Sequence, residues 1–110
     1  MNAALEQRLL GLLGLGVRGR LAVVGVQQVR DAAMRGKLIF AVLAPDASRN
    51  SLEKVVPLLR AKRIRYVEGP TAARLGAAVG RETTAAVGIV DSNLAKGVRE
   101  IVAAGSDGAH

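Results

Sequence analysis

Residues 21–45, LAVVGVQQVRDAAMRGKLIFAVLAP, hold two apolar runs separated by a segment of a different period. Leu21 to Val24 is short, rich in β-branched residues and stopped by Gly25, which is the pattern of a short strand. Val26 to Arg35 places Val29, Ala32 and Ala33 on one side at helical spacing, with Gly36 as its C-terminal stop. Leu38 to Ala44 is continuously apolar, too short for an isolated helix and suited to a strand buried on both faces. Strand, helix and strand in so short a space predict an α/β domain.

The flanks extend this alternation. Leu5, Leu9, Leu12 and Leu13 make an amphipathic opening helix, expected to end near Gly14 or Gly16 and weakened at Gly11. Asp46 and Ser48 offer N-caps to a stretch in which Leu52, Val55, Val56 and Leu59 share one side. Pro57 cannot donate and crowds the preceding turn, so two helices meeting near residue 56 are expected there. Ile64 to Val67 reads as a strand, Gly69-Pro70 as a turn, and Thr71 as the cap of a helix closing at Gly80. After the polar loop Arg81 to Thr84 comes a fourth strand, Ala85 to Val90. Asp91 or Ser92 caps a last helix with Leu94, Val98, Ile101 and Val102 inward. The order αβαβαβαβα predicts a four-stranded sheet covered on both sides.

The chain has 110 residues, with 16 Lys and Arg against 9 Asp and Glu, no Cys, no Trp, one Tyr and one Phe. That length suits one domain, expected over 1–104 with 105–110 as a flexible tail. The absence of Cys excludes thiolate zinc sites, disulfides and thiol redox chemistry. A formal charge of +7 on a chain that is 50% apolar points to a folded domain with a polyanionic partner. Two aromatic residues are too few for the stacking platforms of most single-strand binders. The charge is uneven: 18–37 carries five Lys and Arg against Asp31, and 49–74 carries seven against Glu53 and Glu68. The apolar run LLGLLGLGV at 9–17 falls short of the about 18 residues of a membrane span and has neither the flanks nor the cleavage site of a signal peptide. No membrane partner and a cytoplasmic location are expected.

Gly14, Gly16 and Gly19 spell G-x-G-x-x-G, but they precede the first strand and no carboxylate follows at the required distance, so they read as a loop. The single imidazole, His110, sits in the tail, which argues against His-based catalysis and metal binding. Asp46 and Asp91 follow strands, where an enzyme would gather ligands, yet helix capping accounts for both. No catalytic residue, cofactor or metal is therefore expected. The richer constellation is Gly25-Val26-Gln27-Gln28-Val29-Arg30, a strand-to-helix junction with free amides and two carboxamides able to address base edges. A second polar loop, Gly80-Arg81-Glu82-Thr83-Thr84, also leads into a strand.

Gly19-Arg20-Leu21, Gly25 with its two glutamines, Arg35-Gly36-Lys37, LIFAVLAPDAS (38–48), Pro57, Tyr66-Val67, Leu75-Gly76-x-Ala78-x-Gly80 and AAVGIVD (85–91) follow one another along most of the chain. From about Gly14 to Val98 the chain resembles the ribosomal "L-seven-Ae"-type family of kink-turn RNA-binding proteins, particularly its small bacterial YlxQ-like and YbxF-like members. The resemblance implies a three-layer α/β/α sandwich with a four-stranded mixed sheet, and a non-catalytic, monomeric, ribosomal-protein-like binder of kink-turn or ribosomal-RNA-like structured RNA, associated with the ribosome. It also implies roles. Gly25 would admit close backbone approach, Gln27 and Gln28 would meet base edges in the RNA groove, and Arg30 lies in the same junction. Lys37 would neighbour a phosphate, and Arg81, Glu82, Thr83 and Thr84 would form the loop covering an extruded base. Recognition of folded shape suits a chain with so few aromatics. Two departures stand out: Asp31 occupies a position where many members carry Lys, and Arg81-Glu82 replaces residues that are often apolar. A protein-interaction module that keeps this fold without RNA binding is the alternative, and a nucleotide-binding enzyme using Asp46 and Asp91 a third reading.

Overall fold

In a computed structural model, which describes residues 2–107, the elements follow in the order α1 (Ala3–Arg18), β1 (Ala22–Val24), α2 (Val26–Met34), β2 (Phe40–Leu43), α3 (Arg49–Ala61), β3 (Arg65–Glu68), α4 (Ala72–Ala78), β4 (Ala86–Ile89) and α5 (Ser92–Asp107). The two runs that are apolar throughout, β2 and β4, become the central strands, and every residue in them is buried. The sheet order is β1-β4-β2-β3. Only β2 and β3 run parallel, and β4 is antiparallel to both of its neighbours, so the sheet is mixed.

Alternation along β2 separates two cores. Phe40, Val42 and Ala44 face a cluster with Leu9 and Leu13 of α1, Leu75 of α4 and Leu94, Val98 and Ile101 of α5. Ala41 and Leu43 face the other side, where Val29, Ala32 and Ala33 of α2 meet Val55 and Leu59 of α3. The result is the three-layer α/β/α sandwich. Each fully buried Leu or Val contributes on the order of 1.5–3 kcal/mol.

Register fixes the two ends of the sheet. Ala22, Ile89, Phe40 and Arg65 align in one row across all four strands. At the opposite end Leu43 lies between Ala86 and Glu68, and there Gly25 donates its N–H to the Ala86 carbonyl at 2.8 Å. Loops before β1, β2 and β3 therefore share one end with the loop after β4. The loops after β1, β2 and β3 share the other with the loop before β4.

The structure corrects three local expectations. Helix α1 does not stop at Gly14 or Gly16 but continues to Arg18, so the first two glycines of G-x-G-x-x-G are helical and only Gly19 caps. Both glycines are buried contact points: a Cβ on Gly14 would lie 2.7 Å from the Ala78 carbonyl oxygen, and one on Gly16 would strike Leu94. The propensity cost of roughly 1 kcal/mol for each is offset by the close approach of α4 and α5. Helix α3 is one helix with Pro57 inside it, not two. Pro57 and Glu53 are both exposed, so the carbonyl that loses its partner lies where water can serve it. Asp46 does not cap α3. Ser48 does, accepting from the Ser51 N–H, while Asp46 accepts from Ala72 N–H at the start of α4.

Asp91 accepts from Leu94 N–H and starts α5, which reaches Asp107 and so takes in 105–107, expected to belong to the tail. The rest of that tail, with His110, lies outside the described residues. Among the described residues no helix is long and apolar enough to cross a membrane.

Candidate nucleic-acid interface

Gly25 ends β1 and begins α2 with φ +98° and ψ 155°, a backbone shape that L side chains rarely adopt. No side chain caps the helix, and the first amide taken up inside it is that of Val29, bonded to the Gly25 carbonyl at 3.0 Å. The N–H groups of Val26, Gln27 and Gln28 therefore lead out of the helix at the positive end of its dipole. Gln27 and Gln28 are exposed beside them. Gln27 is not a free side chain: its Nε2 donates to Asp31 Oδ1 at 3.0 Å, one turn along. One amide hydrogen and the carbonyl oxygen of Gln27 remain available. The Gln-to-Asp spacing of four was a readable signal for this pairing, since such pairs meet on a helix surface.

The loop before β4 is laid back against α4. Gly80 turns the chain at φ +80°, Arg81 donates its N–H to the Gly76 carbonyl at 2.8 Å, and Thr84 donates its N–H to the Ala72 carbonyl at 3.1 Å. The fit is tight enough that a Cβ on Gly76 would lie 2.6 Å from Thr83 Cα. Ala72 in turn is held by Asp46. The loop thus has a continuous support running through α4 to the end of β2. Its outward residues, Arg81, Glu82 and Thr83, are exposed and form no ion pair among the described residues.

The Gly25 to Ala86 hydrogen bond brings the start of α2 and the base of this loop together at one end of the sheet. Of the residues singled out in the sequence, Gly25, Gln27, Gln28, Arg81, Glu82 and Thr83 belong to this end. The other three are placed differently. Thr84 is buried, and its hydroxyl donates to the Ala86 carbonyl at 3.2 Å, so it anchors the loop and has no outward face. Arg30 donates to the Lys54 carbonyl on α3 and ties the two helices of its layer together. Lys37 lies past the C-terminus of α2, which at 1.5 Å per residue is roughly 13 Å from Gly25. It shares a shallow groove of about 180 Å³ with Gln28, Asp31 and Arg35, floored by Val23 and Val90.

Asp46 and Asp91, the candidates for an enzymatic site, are both occupied in capping helices.

The sequence profile of the ribosomal protein L7Ae/L30e/S12e/Gadd45 family matches residues 8–103. No curated protein matches the sequence. Among solved structures, a 15.5kD RNA binding protein of Giardia lamblia is 26% identical with a TM-score of 0.75, the match covering 94% of this chain and 88% of that one. A protein of unknown function from Bacillus halodurans is 24% identical with a TM-score of 0.78, covering 86% of this chain and 95% of the other, and shares the fold.

Proposed function

We propose, given that the chain belongs to the ribosomal protein L7Ae/L30e/S12e/Gadd45 family, that it is a non-catalytic RNA-binding protein whose target is a bent, kink-turn-like structured RNA. The observation that carries this reading is the meeting of an uncapped helix start, Gly25 to Gln28, with the exposed loop Arg81 to Thr83 at one end of the sheet. The name of the Giardia protein supports RNA as the ligand class. A phosphate suits the free amides of Val26 to Gln28, and Gly25 adds no side chain to keep the backbone away. Gln27 and Gln28 present carboxamides to base edges, while Arg81 to Thr83 covers a base turned out of the helix. Asp31 bears on this reading through its hydrogen bond to Gln27, which fixes the carboxamide that would do the reading. Association with the ribosome and a cytoplasmic place of work belong to the same proposal.

The test is binding of the full chain to a kink-turn RNA and to the same RNA with its G·A pairs replaced. Tighter binding to the first, weakening steeply as salt rises, is the expected result. Equal affinity for the two removes the kink-turn reading. No RNA binding at low salt, together with capture of a protein partner, moves the function to a protein-interaction module.

A further inference from the structure

Helices α1, α2 and α3 all end at the row Ala22–Ile89–Phe40–Arg65, the end of the sheet opposite Gly25 and the Arg81 loop. Each stops in the same way. Arg20, Gly36 and Arg63 occupy the first position past the helix cap, with φ of 61°, 71° and 57°. Their amides bond to the carbonyls of Val17, Ala33 and Arg60, and the following amides of Leu21, Lys37 and Ile64 bond to Gly16, Ala32 and Leu59. These are three Schellman endings, in which the left-handed residue is ordinarily glycine. Only α2 uses one. The other two carry arginine in a conformation that L-residues rarely adopt.

These arginines have company. Arg18 lies beside Arg20, Arg35 and Lys37 flank Gly36, and Lys62 and Arg65 flank Arg63 with Arg60 one turn back. All eight are exposed, and among the described residues none joins an ion pair. The basic residues of 18–20, 35–37 and 60–65 thus lie at one end of the sheet, where Asp91 is engaged with α5. Three helix C-termini attract cations, but one each would serve. Six of the eight are Arg, the side chain that pairs bidentately with phosphate. Exposed Leu21 and Met34 lie among them and suit contact with ribose. The groove from Gln28 to Lys37 connects this pole with the reading end.

We propose that this pole is a second RNA contact, a sequence-blind clamp on the phosphate backbone of a helical segment distant from the one read by α2. It rests on the RNA-binding reading only for the class of its ligand, and it needs no kink-turn. The test uses the full chain, a 20-base-pair RNA duplex of arbitrary sequence as probe (roughly the span a double-strand binder covers), and the double variant Arg20→Gly/Arg63→Gly. Glycine relieves the left-handed strain while removing two charges, so the variant keeps the fold and its Tm rises by a few degrees. Duplex affinity at low salt is expected to fall about tenfold or more, and the slope of log affinity against log salt to shrink by about 2, one for each lost phosphate contact. Discrimination between a kink-turn and its G·A-less mutant is expected to stay as in the parent. If the parent does not discriminate but the duplex effect is present, the clamp stands and the kink-turn reading falls. Unchanged duplex affinity and salt slope overturn the clamp. So does a loss confined to poly-glutamate or to phosphatidylglycerol vesicles, which assigns the pole to an acidic protein or a membrane surface.

Discussion

Gln27 donates its side-chain amide to Asp31 at 3.0 Å along the outer face of α2, so the one acidic residue of the first basic stretch serves as a holder for a carboxamide at the helix start. A carboxylate beside an RNA surface repels phosphate, but a fixed Gln loses less rotamer freedom when it meets a base edge than a free one does. These two effects separate by substitution.

Asp31→Asn keeps an oxygen for Gln27 and removes the charge. Affinity for a kink-turn RNA is expected to rise about two- to fivefold at low salt, the scale of one exposed charge interaction, with discrimination against the G·A-less mutant kept. Asp31→Ala releases Gln27, and discrimination is expected to shrink by about 0.5–1.5 kcal/mol. Titrations of both RNAs against both variants measure this directly. If Asn and Ala behave alike, the hydrogen bond has no part in recognition.

Arg81→Ala and Thr84→Val divide the loop into its outward and inward parts. Arg81 is exposed and its anchoring bond uses only the backbone, so its loss is expected to weaken RNA binding by about 1–3 kcal/mol with Tm unchanged. Thr84 is buried and bonded to Ala86, and Thr84→Val is expected to cost about 1 kcal/mol of stability. Far below Tm it leaves binding intact. Urea unfolding and RNA titration on the two variants give four readings, of which two should move.

Gly25→Ala tests backbone strain free of crowding. A Cβ at Gly25 would meet nothing within 4 Å, yet its φ of +98° disfavours every L-residue. The expected loss is about 1–3 kcal/mol in urea unfolding. A neutral result would mean that the junction relaxes to a different conformation.

Two glycines of α1 are expected to respond with opposite signs. Gly11 has open space around it, and Gly11→Ala should stabilise by up to about 1 kcal/mol through helix propensity. Gly14→Ala gains the same propensity but drives a methyl against the Ala78 carbonyl, for a net loss of about 1–2 kcal/mol. Thermal unfolding of the pair settles whether α4 packs on α1 as described.

Much of the layering was legible because it rests on local periodicity. Val29, Ala32 and Ala33 mark the inner side of α2, and the unbroken run around Phe40–Leu43 marks a strand covered on both faces. What escaped depends on partners distant in sequence. Gly14 and Gly16 look like helix stops until Ala78 and Leu94 are seen to require them. Pro57 looks like a break because the sequence does not reveal that its side of α3 faces water. Asp46 caps a helix 26 residues on, beyond any local rule. At the candidate interface the glutamines and the Arg81 loop could each be singled out, but the diversion of Arg30 to Lys54 and the inward turn of Thr84 follow from tertiary packing.

The two parts of the candidate interface belong to different layers. Helix α2 lies with α3 on one face of the sheet, and the Arg81 loop leans on α4 on the other. They are jaws mounted on opposite sides of a plate, and the gap between them is gauged where Gly25 bonds to Ala86 across its rim. That makes the Gly25 amide a built-in reporter: a ligand gripped by both jaws slows its hydrogen exchange, and one resting on a single jaw leaves it untouched.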